Sequence, residues 1–191
     1  MWRWIAIRWI QQRDLDMRYR RVLDKGGTYF FTVNLANRKT SLLTDEIDAL
    51  RYALNTVKKR HPFIVDAMVV MPDHLHAIFT LPENDSDYAT RWMLIKSTFS
   101  RQIPRQETIS RSREQKGERG IWQRRYWEHK IRDARDFEEH VNYIHFNPVK
   151  HGYVTAVAQW PYSTFHQYVE KGILDSQWGK DESDVYGSFG E

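Results

Sequence analysis

Two histidines stand one residue apart in "MPDHLHAIFTLP", residues 71–82, and a tyrosine and an asparagine stand four apart in "HVNYIHFNPVKHGYV", residues 140–154. Strand side chains alternate, so on a strand His74 and His76 share a face while Leu75 takes the other. Two imidazoles so arranged can grip one cation or can face solvent as ordinary polar residues. On a helix Tyr143 and Asn147 share a face, with His140 on a neighbouring line three residues before the tyrosine. That pattern offers a phenol, an amide and an imidazole to one site. It equally fits an amphipathic core tyrosine and a helix-end asparagine before a proline.

The elements that must position these residues follow from composition and pattern. The chain has 191 residues, 41% of them apolar, enough for one globular domain with a real core. It contains no cysteine, which removes disulfides, thiolate nucleophiles and cysteine-ligated zinc. No apolar run reaches membrane-spanning length and no signal peptide is recognisable, so the expected compartment is the cytoplasm. A net charge of +4 with 14% aromatic residues suits nucleic acid, through phosphate attraction and stacking on unpaired bases.

Residues 28–35, "TYFFTVNL", read as a strand, and Thr44-Asp45-Glu46 opens a helix over 45–60 that ends before Pro62. A second strand covers 64–70, Pro72-Asp73 makes a turn, and a third strand over 74–81 pairs with it as a hairpin. Trp92, Ile95 and Phe99 mark a helix over 88–103. The arginine-rich stretch 104–120 lacks apolar periodicity and is expected to be a mobile loop that orders on a phosphate backbone. A fourth strand covers 126–131, and Asp136 caps a helix running to Asn147, where Pro148 opposes continuation. Gly152 ends that region, and the tail from Trp160 is expected to wrap the surface. The order β-α-β-β-α-β-α predicts an α+β, ferredoxin-like split βαβ fold, with a central antiparallel sheet and helices on one face.

With Asp73-His74-Leu75-His76, "WQRRYWEHKIRD" at 122–133 and "NYIHFNPVKHGYV" at 142–154, the sequence closely resembles the REP-associated tyrosine transposases, within the HUH single-strand nuclease superfamily. "KGGTYFFTVNL" and "WPYSTFH" extend the resemblance over residues 17–178. The resemblance implies a metal-dependent enzyme that cleaves and joins single-stranded DNA through a 5′-phosphotyrosine link. It makes His74 and His76 metal ligands, Tyr143 the nucleophile and Asn147 a third ligand, with Mg²⁺ or Mn²⁺ as the ion. The implied partner is single-stranded DNA carrying a REP (repetitive extragenic palindrome) hairpin. A monomer is expected, because members of this group can hold both motifs in one chain.

Arg91, Lys96 and Arg101 along one predicted helix, Arg124 and Arg125 at the fourth strand, and Lys150 form the expected DNA-gripping set. Each fits a solvated charge equally well. Trp122 and Trp127 either stack on bases or belong to the core. Of Glu128 and His129 only one can face the site, and His151 suits a helix end. Residues 1–16 lie outside the resemblance and read as a leader ahead of a start at Met17, and 179–191 as a frayed tail. A rival reading is a hairpin-binding regulator without turnover; a third, a metal hydrolase using water.

Overall fold

The computed structural model describes residues 24–179 apart from 106 and 108; the leader 1–16 and all of the tail beyond Gly179 lie outside the described residues. The elements are β1 (Thr28–Asn34), α1 (Leu42–Asp45), α2 (Ile47–Arg60), β2 (Ile64–Val70), β3 (His74–Thr80), α3 (Tyr88–Gln102), α4 (Arg111–Glu114), β4 (Trp127–Lys130), α5 (Ala134–Lys150) and α6 (Phe165–Glu170). The strands run in the order β2-β3-β1-β4, and every neighbouring pair is antiparallel. This is the split βαβ arrangement expected of the element order.

The sheet is buried on both faces. Tyr29, Phe31 and Val33 point into a core shared with Leu50, Ala53 and Val57 of α2 and Trp92, Ile95 and Phe99 of α3. Phe30 points the other way, with Ala67, Val69 and Ile78, onto Val141, Tyr143 and Ile144 of α5. The expectation of helices on one face therefore holds for α2 and α3 and is corrected for α5. β1 requires this second layer, since its five central residues "YFFTV" are all buried and each face of a strand needs its own cover.

Other boundaries differ for local reasons. The helix expected from 45 is split, a single turn α1 preceding α2. Asp133, not Asp136, caps α5, its side chain accepting from the Asp136 N–H at 2.9 Å. Pro148 does not end the helix, which runs on to Lys150. The close follows at Gly152, whose φ is 71°. There Gly152 N–H donates to the Val149 carbonyl at 2.9 Å and Tyr153 N–H to that of Pro148 at 3.0 Å, a Schellman ending that a left-handed glycine permits. The described residues of the arginine-rich stretch are not featureless. It contains the turn α4, and Arg119 bonds the carbonyls of Ile103 (2.6 Å) and Pro104 (2.9 Å) and the Glu107 carboxylate (2.8 Å).

Trp160 to Thr164 lie along the outer edge of β2. Val70 N–H donates to the Tyr162 carbonyl at 2.9 Å, and Trp160 Nε1 donates to that of Val70 at 3.0 Å. The tail thus covers one sheet edge, while β4 forms the other. No described helix is long and apolar enough to cross a membrane.

Candidate active site

The turn before β3 fixes the two histidines. Met71 N–H donates to the His74 carbonyl at 2.9 Å, Leu35 N–H to that of Asp73 at 2.9 Å and Leu43 N–H to that of Pro72 at 3.0 Å. Three separate segments thereby pin the backbone from which His74 projects. His76 follows two residues on, opposite Thr32 in the register, with its Nδ1 at 2.9 Å from Thr32 Oγ1. His74 Nδ1 lies 2.8 Å from Asp73 Oδ1, and Arg38 Nε pairs with the other carboxylate oxygen at 2.7 Å. The two rings are 5.0 Å apart with planes at 83°. Both are buried. Burial lowers the His74 pKa more than Asp73 raises it, so the ring is held in the neutral form that a metal requires.

Helix α5 crosses this face of the sheet. Val141 and Ile144 anchor it in the second core, which turns Tyr143 toward the histidines, its ring 5.1 Å from that of His76. Asn147, one turn later, is fully buried, and neither its Oδ1 nor its Nδ2 has a hydrogen-bond partner among the described residues. Such a group costs about 1–3 kcal/mol if left unsatisfied, which marks its oxygen as a place for a ligand. Lys150 Nζ sits 5.0 Å from the Tyr143 ring centroid, and the His151 ring 5.7 Å from that of His74. His74, His76 and Tyr143 are therefore brought together between β3 and α5, with Asn147 buried one helical turn after the tyrosine.

A second cluster adjoins it. Of the pair Glu128 and His129, the histidine takes the site's face, opposite Phe30, while Glu128 stands opposite Phe31 on the other. His129 Nε2 lies 2.9 Å from Asp136 Oδ2, and His140 Nδ1 3.1 Å from Asp136 Oδ1. His129, Asp136 and His140 present nitrogen and oxygen atoms within 4.8 Å of one another, close enough to hold a cation. Burial would raise the Asp136 pKa, but His129, His140 and Arg132 hold it well below the usual carboxylate range.

The expected DNA-gripping residues are divided by the sheet. Arg91 is 1% exposed, donating to Asp85 Oδ2 (2.6 Å) and to the carbonyls of Pro62 (2.7 Å) and Asp87 (2.8 Å). It is a structural cation. Lys96 donates to the Gln123 carbonyl at 3.1 Å and lies 5.1 Å from the Tyr126 ring, and burial pushes its pKa down to about 8. Both belong to α3, across the sheet from His76 and Tyr143, as does Arg101, which bonds Ser97 at 2.8 Å. Arg124 and Arg125 are exposed before β4, the former paired with Glu118 at 2.8 Å. Trp122 is a core residue; Trp127 is exposed.

Sequence reasoning missed Thr32, Arg38 and the pairing of Asp136 with two histidines. Only Asp73, adjacent to His74, left a local trace.

Residues 26–147 match the profile of the IS200-like transposases, a span that includes both β3 histidines, Tyr143 and Asn147. The chain belongs to this family of tyrosine transposase enzymes. It is 46% identical over 166 residues to a REP-associated tyrosine transposase of Escherichia coli K12, covering 87% of this chain and 93% of that one. A Haemophilus influenzae protein that carries the same name provisionally is 47% identical over 162 residues, 84% of this chain and 92% of its own. The solved structure of a REP-associated tyrosine transposase bound to a REP hairpin superposes with a TM-score of 0.76 at 45% identity, covering 92% of this chain and 98% of that one.

Proposed function

We propose that the chain is a metal-dependent single-stranded DNA endonuclease and strand transferase that recognises REP hairpins and cleaves through Tyr143. The observation that carries the reading is the meeting of Tyr143 with His76, ring centroids 5.1 Å apart, beside His74, with Asn147 buried one helical turn after the tyrosine and without a hydrogen-bond partner among the described residues. Two imidazole nitrogens and one amide oxygen with open positions suit Mg²⁺ or Mn²⁺. An ion bound there would polarise the scissile phosphate.

The chain's own residues supply the rest. Asp73 and Thr32 hold the Nδ1 atoms of His74 and His76, which leaves each Nε2 as the ligating atom. The Tyr143 oxygen attacks phosphorus, the bond to the 3′ oxygen breaks, and the strand is left with a 5′-phosphotyrosine and a 3′-hydroxyl. A phenol of ordinary pKa near 10 is protonated at neutral pH, and the Lys150 ammonium beside the Tyr143 ring favours its developing negative charge. Reversal with another 3′-hydroxyl joins strands without ATP, because the phosphoester is conserved.

Both motifs come from one chain, which supports action as a monomer, on cellular DNA in the cytoplasm. Of the expected DNA-gripping set, Lys150 beside Tyr143 and the exposed Arg124 and Arg125 are the candidates for contact with a bound strand, while Arg101 lies on α3 across the sheet. The test is to incubate the protein with a 3′-labelled REP-hairpin strand and Mg²⁺ or Mn²⁺ and resolve the products on a denaturing gel. A covalent adduct that disappears in Tyr143→Phe and without metal is expected. Hairpin binding with neither adduct nor cleavage would favour a non-catalytic hairpin-binding regulator; free 5′-phosphate ends without adduct would point to water as nucleophile.

A further inference from the structure

Three rings lie nearly parallel at the β4 edge of the sheet, near Tyr143. Trp127 and His129 alternate onto the same face of β4, with centroids 5.8 Å apart and planes at 6°. His140 of α5 continues the stack, 4.8 Å from His129 at 12°. Phe30 props it from below, with Trp127 at 5.6 Å, His140 at 4.7 Å and Tyr143 at 6.0 Å. The same phenylalanine thus touches both the stack and the nucleophile.

The stack is locked rather than loose. Asp136 holds His129 Nε2 at 2.9 Å, and His140 Nδ1 donates to the Asp136 carbonyl at 2.7 Å. Arg132 fixes the same carboxylate through its N–H at 2.9 Å and its Nε at 3.1 Å. These bonds also argue against a cation in the trio. An ion on Asp136 would sit against the Arg132 guanidinium. The bonds read instead as a clamp that sets two imidazole planes.

What the clamp presents is Trp127. Among the described tryptophans it alone is exposed, at 39%. Its ring is backed by His129 in a fixed plane. Exposed cations lie near it in sequence, Arg125 two residues before and Arg132 five residues after, the latter with its side chain 70% exposed. A rigid exposed aromatic plane on a basic segment suits the stacking of an unpaired base.

We infer that Trp127, backed by His129 and His140, is the platform on which one unpaired base next to the scissile phosphate stacks. The inference rests on the nuclease reading for the identity of the strand, but it concerns binding and is measured separately from cleavage.

The test uses the full chain and a hairpin oligonucleotide with unpaired flanks on both sides. Each flank position is replaced in turn by an abasic site, and binding is measured for wild type, Trp127→Ala and Trp127→Phe. Trp127→Ala should weaken binding about 10- to 100-fold, Trp127→Phe far less, and the slope of log affinity against log salt should not change, since no phosphate contact is lost. At one flank position the abasic site should cost the wild type that same factor and Trp127→Ala nothing. Abasic costs that add to the Trp127→Ala loss at every position would overturn the platform, as would unchanged binding by Trp127→Ala. A Mn²⁺ site that survives His74→Ala/His76→Ala and is lost with His129→Ala would overturn the clamp. Coupling at one position without any adduct would keep the platform and sink the nuclease reading; an adduct without coupling would do the reverse.

Discussion

Asp73 holds the ring of His74 through an Oδ1 to Nδ1 contact of 2.8 Å. Arg38 in turn grips the second oxygen of that carboxylate at 2.7 Å. The chain from Arg38 through Asp73 fixes ring orientation and tautomer from behind, in the manner of carboxylate–histidine–metal triads. Asp73→Asn should therefore weaken Mn²⁺ binding by roughly 10- to 100-fold without removing a ligand. Calorimetric titration of wild type and variant checks this; equal affinities would show that the carboxylate does not orient the ring.

Lys150 stands two turns after Tyr143, with its ammonium 5.0 Å from the ring centroid. A cation there does little for a neutral phenol and more for one losing its proton. Lys150→Met keeps the stem and removes the charge. It should slow single-turnover cleavage about 10-fold, equivalent to about 1.4 kcal/mol of barrier, while hairpin affinity falls much less. A loss confined to affinity would make Lys150 a phosphate contact only.

Arg91 is predicted to act on stability instead of DNA. Its guanidinium satisfies the Pro62 and Asp87 carbonyls and one oxygen of Asp85. Asp85 itself is about one-third exposed, so truncating Arg91 leaves a carboxylate that water can reach, and the larger loss is the two carbonyls and the packed stem. Arg91→Met should destabilise the fold by about 2 kcal/mol and leave hairpin affinity of the folded protein unchanged. Urea unfolding and a salt series of binding measurements separate the two. Reduced affinity at full folding would return Arg91 to the DNA-gripping set.

These outcomes follow where local sequence spoke clearly and where it did not. β2 was legible to the residue because "IVDAMVV" is a β-branched and apolar run bounded by proline on both sides. The pairing of His74 with His76 was legible because strand alternation is local, and so was the shared face of Tyr143 and Asn147. Pro148 misled, since it forfeits only one helical N–H near the helix end, and the Gly152 ending satisfies the last carbonyls anyway. Arg91 misled for a longer-range reason. A cation on a helix resembles a solvated charge until the Pro62 carbonyl, 29 residues away, is seen to accept from it. The position of α5 across the sheet was hidden likewise, because burial on both faces of β1 says that a second layer exists and not which helix supplies it.

Asp66 carries a pH dependence that lies outside the site. It is the extra residue of a bulge between Val65 and Ala67 in β2, where it accepts from Thr80 Oγ1 at 2.7 Å. Burial pushes its pKa up to about 6 from an ordinary 3.8, against the opposing pull of Thr80 and Lys58. The folded chain therefore binds more protons than the unfolded chain between those two values. The resulting stability is fully present below the ordinary carboxylate value and is lost as pH rises through about 6. By neutral pH the fold carries a desolvated carboxylate at a cost on the order of 1–3 kcal/mol. Asp66→Asn keeps an oxygen for Thr80 and removes the charge, so it should stabilise the protein near about pH 7 and have little effect near about pH 4. Urea unfolding at the two pH values checks the sign; a variant that is less stable at neutral pH would mean that Lys58, not burial, governs the carboxylate.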